Sequence, residues 1–160
     1  MLGYWLVNAY LSKGSAFTHK LKNMNLKIWN YQENNMANPT DYVGTLFDNS
    51  ESNPNKITLA FTMAGVALKK GHSASVILMV DAVHLAKPNA LDDVNIGAPF
   101  DPAGELLEAF IEKGGQVLVC GACMKHNGVE ESDIDKRFEV ISGDDVVELL
   151  MNAKGSLQLN

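Results

Sequence analysis

Cysteine is almost missing from this sequence: the 160 residues hold two, Cys120 and Cys123. Two cysteines cannot build the disulfide framework of a small secreted domain, so a reducing, cytoplasmic location is the default expectation. Long apolar runs are missing as well, and no window approaches the roughly 20 consecutive apolar residues of a membrane span. The stretch MLGYWLVNAYL is apolar but short. It has no basic residues ahead of it and no A-x-A-like cleavage site, so it does not read as a signal peptide. Nor is there a basic excess. With 13 Lys and Arg against 19 Asp and Glu the formal charge is −6, so attraction to nucleic acid or acidic membranes is not expected. No internal repeat is visible.

What is present suits one compact domain. A hydrophobic share of 46% and a charged share of 20% mark a globular chain, long enough to bury a core without covalent or metal staples. Charge is distributed unevenly. Residues 1–35 carry Lys13, Lys20, Lys22 and Lys27 against the single acid Glu33, a balance of +3 that leaves −9 for residues 36–160. This break divides the sequence into an N-terminal extension, 1–35, and an α/β domain, 36–160. The extension reads either as an amphipathic arm, with Leu21, Leu26, Ile28 and Trp29 docking on a partner, or as residues ahead of a true start at Met36.

From residue 42 the sequence alternates short β-rich runs with helical stretches, the signature of βαβ units on a parallel sheet. YVGTLF (42–47) reads as the first strand. A helix follows, with Asn53 as its cap, Pro54 in its first turn and Gly71 at its exit. Ile57, Ala60, Phe61, Ala64 and Leu68 share one face of it. SVILMV (75–80) reads as a strand buried on both faces. The stretch 81–100 reads as a long functional loop. Asp101 and Pro102 open a second helix, with Leu106, Leu107, Phe110 and Ile111 inward and Gly114-Gly115 at its end. QVLVC (116–120) is the third strand and FEVIS (138–142) the fourth. Ser142 caps the helix GDDVVELLMNAK, and SLQL (156–159) is a short last strand. The expected class is therefore α/β, a single three-layer domain with a mainly parallel sheet of about five strands.

The third strand delivers Cys120 to its carboxyl end, where ligand sites gather in open parallel sheets. Gly121 allows the turn into a short helix, Gly128 ends it, and Cys123 lies one helical turn from Cys120. A sulfur at a helix start faces unpaired N–H groups and the positive end of the dipole, which favour thiolate. Lys125 and His126 add positive charge if they turn toward it. The bland alternative is an inert thiol closing a core strand, because cysteine is among the most buried residue types. Structural zinc is not expected, since neither a second cysteine pair nor an H-x₃₋₅-H motif exists to complete four ligands. A dithiol redox pair fits the spacing of C-x-x-C. Asp81 and His84, just past the second strand, are supporting candidates whose bland reading is a solvated acid and a surface histidine. The run EESDID reads as a solvated face, and His72 as structural.

Three stretches resemble the DsrE/DsrF-like (YchN-like) family of small sulfur-relay-associated proteins. NPNKITLAFTMAGVALKKGHSASVILMV is similar to the family's first helix and second strand. DAVHLA is similar to its E-G-V-x-L-A loop, and EKGGQVLVCGACMKHNGV to its segment with a cysteine closing a strand. The resemblance implies a fold of flavodoxin-like architecture and a homo-oligomer, a trimer or hexamer. It puts Cys120 at the persulfide position of active members, and Cys123 at a second cysteine found in some relatives. Two departures stand out. Asn127 takes the place of an arginine common before the motif glycine, and Ala82 takes the place of the loop glycine.

The function this resemblance implies is sulfur relay. Cys120 would accept sulfane sulfur as a persulfide and pass it on, possible sulfurtransferase chemistry that needs no metal or organic cofactor. Cys123 serves as second thiol, with Gly121, Lys125, His126, Asp81 and His84 supporting. The expected partners are sulfur donor and acceptor proteins or low-molecular-weight persulfides. Two other functions stay open: a non-catalytic oligomeric module binding a small ligand or partner, and a Cys120/Cys123 dithiol redox protein.

Overall fold

The computed structural model describes residues 37–160, so the expectations for residues 1–35 and for a start at Met36 lie outside the described residues. Five parallel strands form one sheet: β1 (Tyr42–Leu46), β2 (Ala74–Leu78), β3 (Gln116–Cys120), β4 (Glu139–Ile141) and β5 (Gly155–Leu159). Their order is β4-β3-β2-β1-β5, and every pairing is parallel. The mainly parallel sheet expected above is thus wholly parallel. Consecutive strands step outward from β1 to β4, and the last strand returns to the other side of β1. Central strands buried on both faces explain the unbroken apolar runs, with every residue of β2 buried.

Helices α1 (Pro54–Lys69), α2 (Ala103–Glu112), α3 (Gly121–His126) and α4 (Gly143–Asn152) make the outer layers. Strand alternation sends Leu46, Val76, Leu78, Val117 and Val119 into one core with α1, α2 and Met124 of α3. Val43, Ile77, Leu118 and Ile141 face Val146 and Leu149 of α4 on the other side. Phe61 of α1 and Phe110 of α2 meet edge to face, with centroids 6.0 Å apart, and lock the first layer.

Several local expectations hold for physical reasons. Ser142 caps α4 through a reciprocal box: its Oγ accepts from the Asp145 N–H at 3.2 Å, and its N–H donates to Asp145 Oδ2 at 2.8 Å. Gly71 leaves α1 with φ at 83°. Others do not hold. Asn53 precedes α1 but makes no side-chain cap bond, so Pro54 alone marks the entry. The second strand stops at Leu78 rather than Val80. The expected loop after it opens with a seven-residue 3₁₀ helix, Val80–Ala86, whose Ala82, Val83, Leu85 and Ala86 are buried. EESDID is not merely a solvated face. Ile134 within it is buried, and Asp135 pairs with Arg137 at 2.6 Å.

Candidate thiol site

The site forms where β3 ends and α3 begins, beside the 3₁₀ turn that follows β2. Gly121 starts α3 because the helix crosses closely over β4: a Cβ there would sit 3.1 Å from Val140 Cγ1. Its role is close approach, since it is not among the glycines with positive φ. Gly128 does take positive φ, 66°, and the Val129 N–H donates to the Met124 carbonyl at 2.9 Å. This closure places Asn127 at the C-terminal cap of α3, one turn beyond Cys123.

The two thiols are brought together. Cys120 is 4% exposed, while Cys123 is half-buried. Burial pushes the Cys123 thiol above its ordinary range, and hydrogen-bond contact with the Cys120 sulfur acts in the same direction. The Val80 backbone beside it pulls the other way. Cys123 therefore keeps its proton at neutral pH, an S–H beside the Cys120 sulfur.

Cys120 is the N-cap residue of α3, but its side chain accepts no cap hydrogen bond, and α3 has only 6 residues. So short a helix sums few peptide dipoles.

Of the other expected residues, Lys125 and His126 are exposed on α3, and neither acts on the Cys123 thiol. Lys125 instead lines a cavity of about 480 Å³ on the β4 side of α3, with Gly121 and Glu130, and neither cysteine borders it. Asp81 is exposed and His84 half-buried on the 3₁₀ turn, and neither acts on Cys123. Ala82, in place of the loop glycine, is fully buried and needs no positive φ. Among the described residues, no three His, Cys, Asp or Glu side chains are grouped to hold a metal ion.

Val80, which sequence reasoning passed over, and Asn127, noted there only as a departure from the family pattern, complete the site. Val80 has φ at 51°, which a β-branched residue rarely adopts. Asn127 Nδ2 donates to the Val80 carbonyl at 3.2 Å and to the Cys123 carbonyl at 2.9 Å, tying the turn to α3. The departure of Asn127 from arginine was a signal that this position matters. Its partner could not be read from it.

Residues 41–159 match the DsrE/DsrF-like family. The chain belongs to that family. Over 88 residues it is 32% identical to protein MJ0760 of Methanocaldococcus jannaschii, spanning 55% of this chain and 32% of that protein. It is 33% identical over 88 residues to protein MK0008 of Methanopyrus kandleri, spanning 55% of this chain and 69% of that one. The matched region is thus about a third of the first relative and about two thirds of the second. Among solved structures, the ychN protein from E. coli aligns with a TM-score of 0.60 at 13% identity, over 74% of this chain and 98% of its own. Protein MTH1491 from Methanobacterium thermoautotrophicum aligns with a TM-score of 0.53 at 12% identity, over 73% and 97%. These structural likenesses carry the YchN-like fold. Among the described residues, no helix is long and apolar enough to cross a membrane.

Proposed function

We propose that this DsrE/DsrF-like protein accepts and passes on sulfane sulfur through Cys120. The observation that carries the reading is the placement of two free thiols one helical turn apart at the carboxyl end of β3, one closed off and one half-open. The Cys120 thiolate attacks the terminal sulfur of a donor persulfide R–S–SH. A bond forms from Cys120 Sγ to that sulfur, the donor S–S bond breaks, and R–S⁻ leaves. Cys120 then holds the sulfur as –S–SH until an acceptor thiolate attacks it. Cys123, protonated and one helical turn from Cys120, is the donor nearest in sequence to the anionic sulfur. Two free thiols suit a reducing, cytoplasmic setting. The partners are protein or low-molecular-weight persulfides and thiols. Val147 and Met151, exposed together on α4, support a homo-oligomer.

The test is incubation with a small persulfide donor followed by intact-mass measurement. Wild type gains one sulfur and Cys120→Ser does not. Equal gain by both proteins defeats the proposal.

The same placement favours a second reading, dithiol redox exchange. It requires a reversible Cys120–Cys123 disulfide with a defined potential, and oxidised protein without that bond excludes it.

A further inference from the structure

Helix α1 is apolar all round. From Ile57 to Leu68 it carries no charged residue, and its threonines turn their hydroxyls inward on its own backbone. Thr58 Oγ1 donates to the Pro54 carbonyl at 3.2 Å, and Thr62 Oγ1 to the Thr58 carbonyl at 2.7 Å. A helix of this kind belongs inside a structure. One face of α1 is nevertheless open: Leu59 and Met63, one turn apart, are exposed, and Val66 beside them is half-buried. Thr62, Val66 and Lys69 line a cavity of about 220 Å³ with Phe100, Asp101 and Lys113. Phe100 is exposed as well. The result is a continuous apolar groove whose rim holds two lysines against one acid.

Helix α4 presents the counterpart. Val147 and Met151, one turn apart, stand on its outer face, and Met151 is 79% exposed. Asp144 and Glu148, both exposed, alternate with them at helical spacing. α4 holds three acids and no base, whereas α1 holds two bases and no acid. Among the described residues, none of Lys69, Lys113, Asp144 and Glu148 is ion-paired. The two helices pack on opposite faces of the sheet, one in each core, so neither covers the other within one copy.

We propose that α4 of one copy docks in the α1 groove of the next. This rests on the homo-oligomer reading above and names the surface that Val147 and Met151 meet. Their ridge enters the groove beside Leu59 and Met63, and the acids Asp144 and Glu148 approach the lysines of the rim. Pairing like faces would instead set acid against acid or lysine against lysine, so the complementary pairing wins. The contact is heterologous: each copy offers one helix and one groove, and addition continues until the rotation closes a ring.

Analytical ultracentrifugation of the full chain tests this. Wild type sediments as an oligomer. Met63→Glu on α1 and Met151→Glu on α4 each weaken association at least about tenfold, because a methionine leaves apolar contact and an acid takes its place. Each variant alone is monomeric where wild type is assembled. An equimolar mixture of the two forms a one-to-one dimer, since the intact α4 of the first meets the intact groove of the second. Both positions are exposed, so the fold survives, as far-UV circular dichroism checks. Leu59→Glu and Val147→Glu, on the same two faces, serve if either variant loses its fold. A monomeric wild type overturns the interface together with the homo-oligomer reading. An oligomeric wild type whose variants stay assembled, or a mixture that stays monomeric, overturns the interface alone. None of these readouts involves sulfur transfer, so the persulfide reading stands or falls separately.

Discussion

Asn127 and Val80 lie 47 positions apart in sequence and are joined by one hydrogen bond, from the asparagine Nδ2 to the valine carbonyl at 3.2 Å. The bond couples the end of α3 to the turn after β2. Because that turn is strained, Val80→Gly relieves roughly 1–2 kcal/mol and forfeits about 0.5–1 kcal/mol of chain entropy. Thermal denaturation of Val80→Gly should give a midpoint at or above that of wild type. A drop of several degrees shows that no strain was there to relieve.

The alkaline limb of stability carries the marks of two half-buried acids. Burial pushes up both the Cys123 thiol and the Tyr42 phenol. Each group holds its proton more tightly when folded. Its contribution is full below the unfolded value, about 8.5 for cysteine and 10 for tyrosine, and is lost as pH rises through the folded one. Tyr42 Oη is also buried without a hydrogen-bond partner. Tyr42→Phe should therefore be neutral or stabilising by about 1 kcal/mol, and should flatten the decline in stability above pH 10. Urea denaturation from pH 7 to 11 measures both effects. Marked destabilisation of the phenylalanine variant at pH 7 would mean the hydroxyl has a partner.

Gly115 has no room for a side chain. A Cβ at this position would meet the Phe110 ring at 2.4 Å. Gly115→Ala should cost about 1–3 kcal/mol by overpacking. Phe110→Leu costs stability by itself, but the double variant should lose clearly less than the sum of the two. Strict additivity in a denaturation cycle would remove the clash as the cause.

Arg137 bridges α2 to the segment before β4, reaching Glu108 Oε2 at 2.7 Å and Asp135 Oδ2 at 2.6 Å. The guanidinium holds both carboxyls below their ordinary range. That contribution is present above the unfolded carboxylate values of about 4 and is lost as pH falls through the folded ones. Arg137→Gln should raise the pH of acid unfolding while costing less than about 1 kcal/mol at pH 7, because the fork is exposed. A loss of several kcal/mol at pH 7, or an unmoved acid transition, contradicts this account.

Much of the frame was legible because its signals are local. QVLVC reads as β3 and is β3, Ser142 needs only Asp145 to cap α4, and Gly128 ends α3 by its own φ. The C-x-x-C spacing likewise announced that two sulfurs could meet. The sequence could not say which sulfur is closed off, because that depends on a turn from another part of the chain. Val80 is the clearest case. It ends the apolar run VILMV and carries strong β preference, yet hydrogen bonds from β1 and α3 bend it out of the strand. Asn53 misleads in the opposite way, a good capping residue whose side chain caps nothing. Ile134 was hidden inside an acidic run whose charge drew the eye from its burial.

The strand order has a consequence for how the molecule is made. Among the described strands β1 is the first to be made, but its neighbour β5 is the last of them, with Tyr42 registered against Gly155. Until that late segment arrives, one side of β1 presents open backbone donors and acceptors that can recruit a foreign strand. Biogenesis of this protein thus contains a waiting period, during which a nascent-chain chaperone or a slow stretch of translation would decide between folding and aggregation.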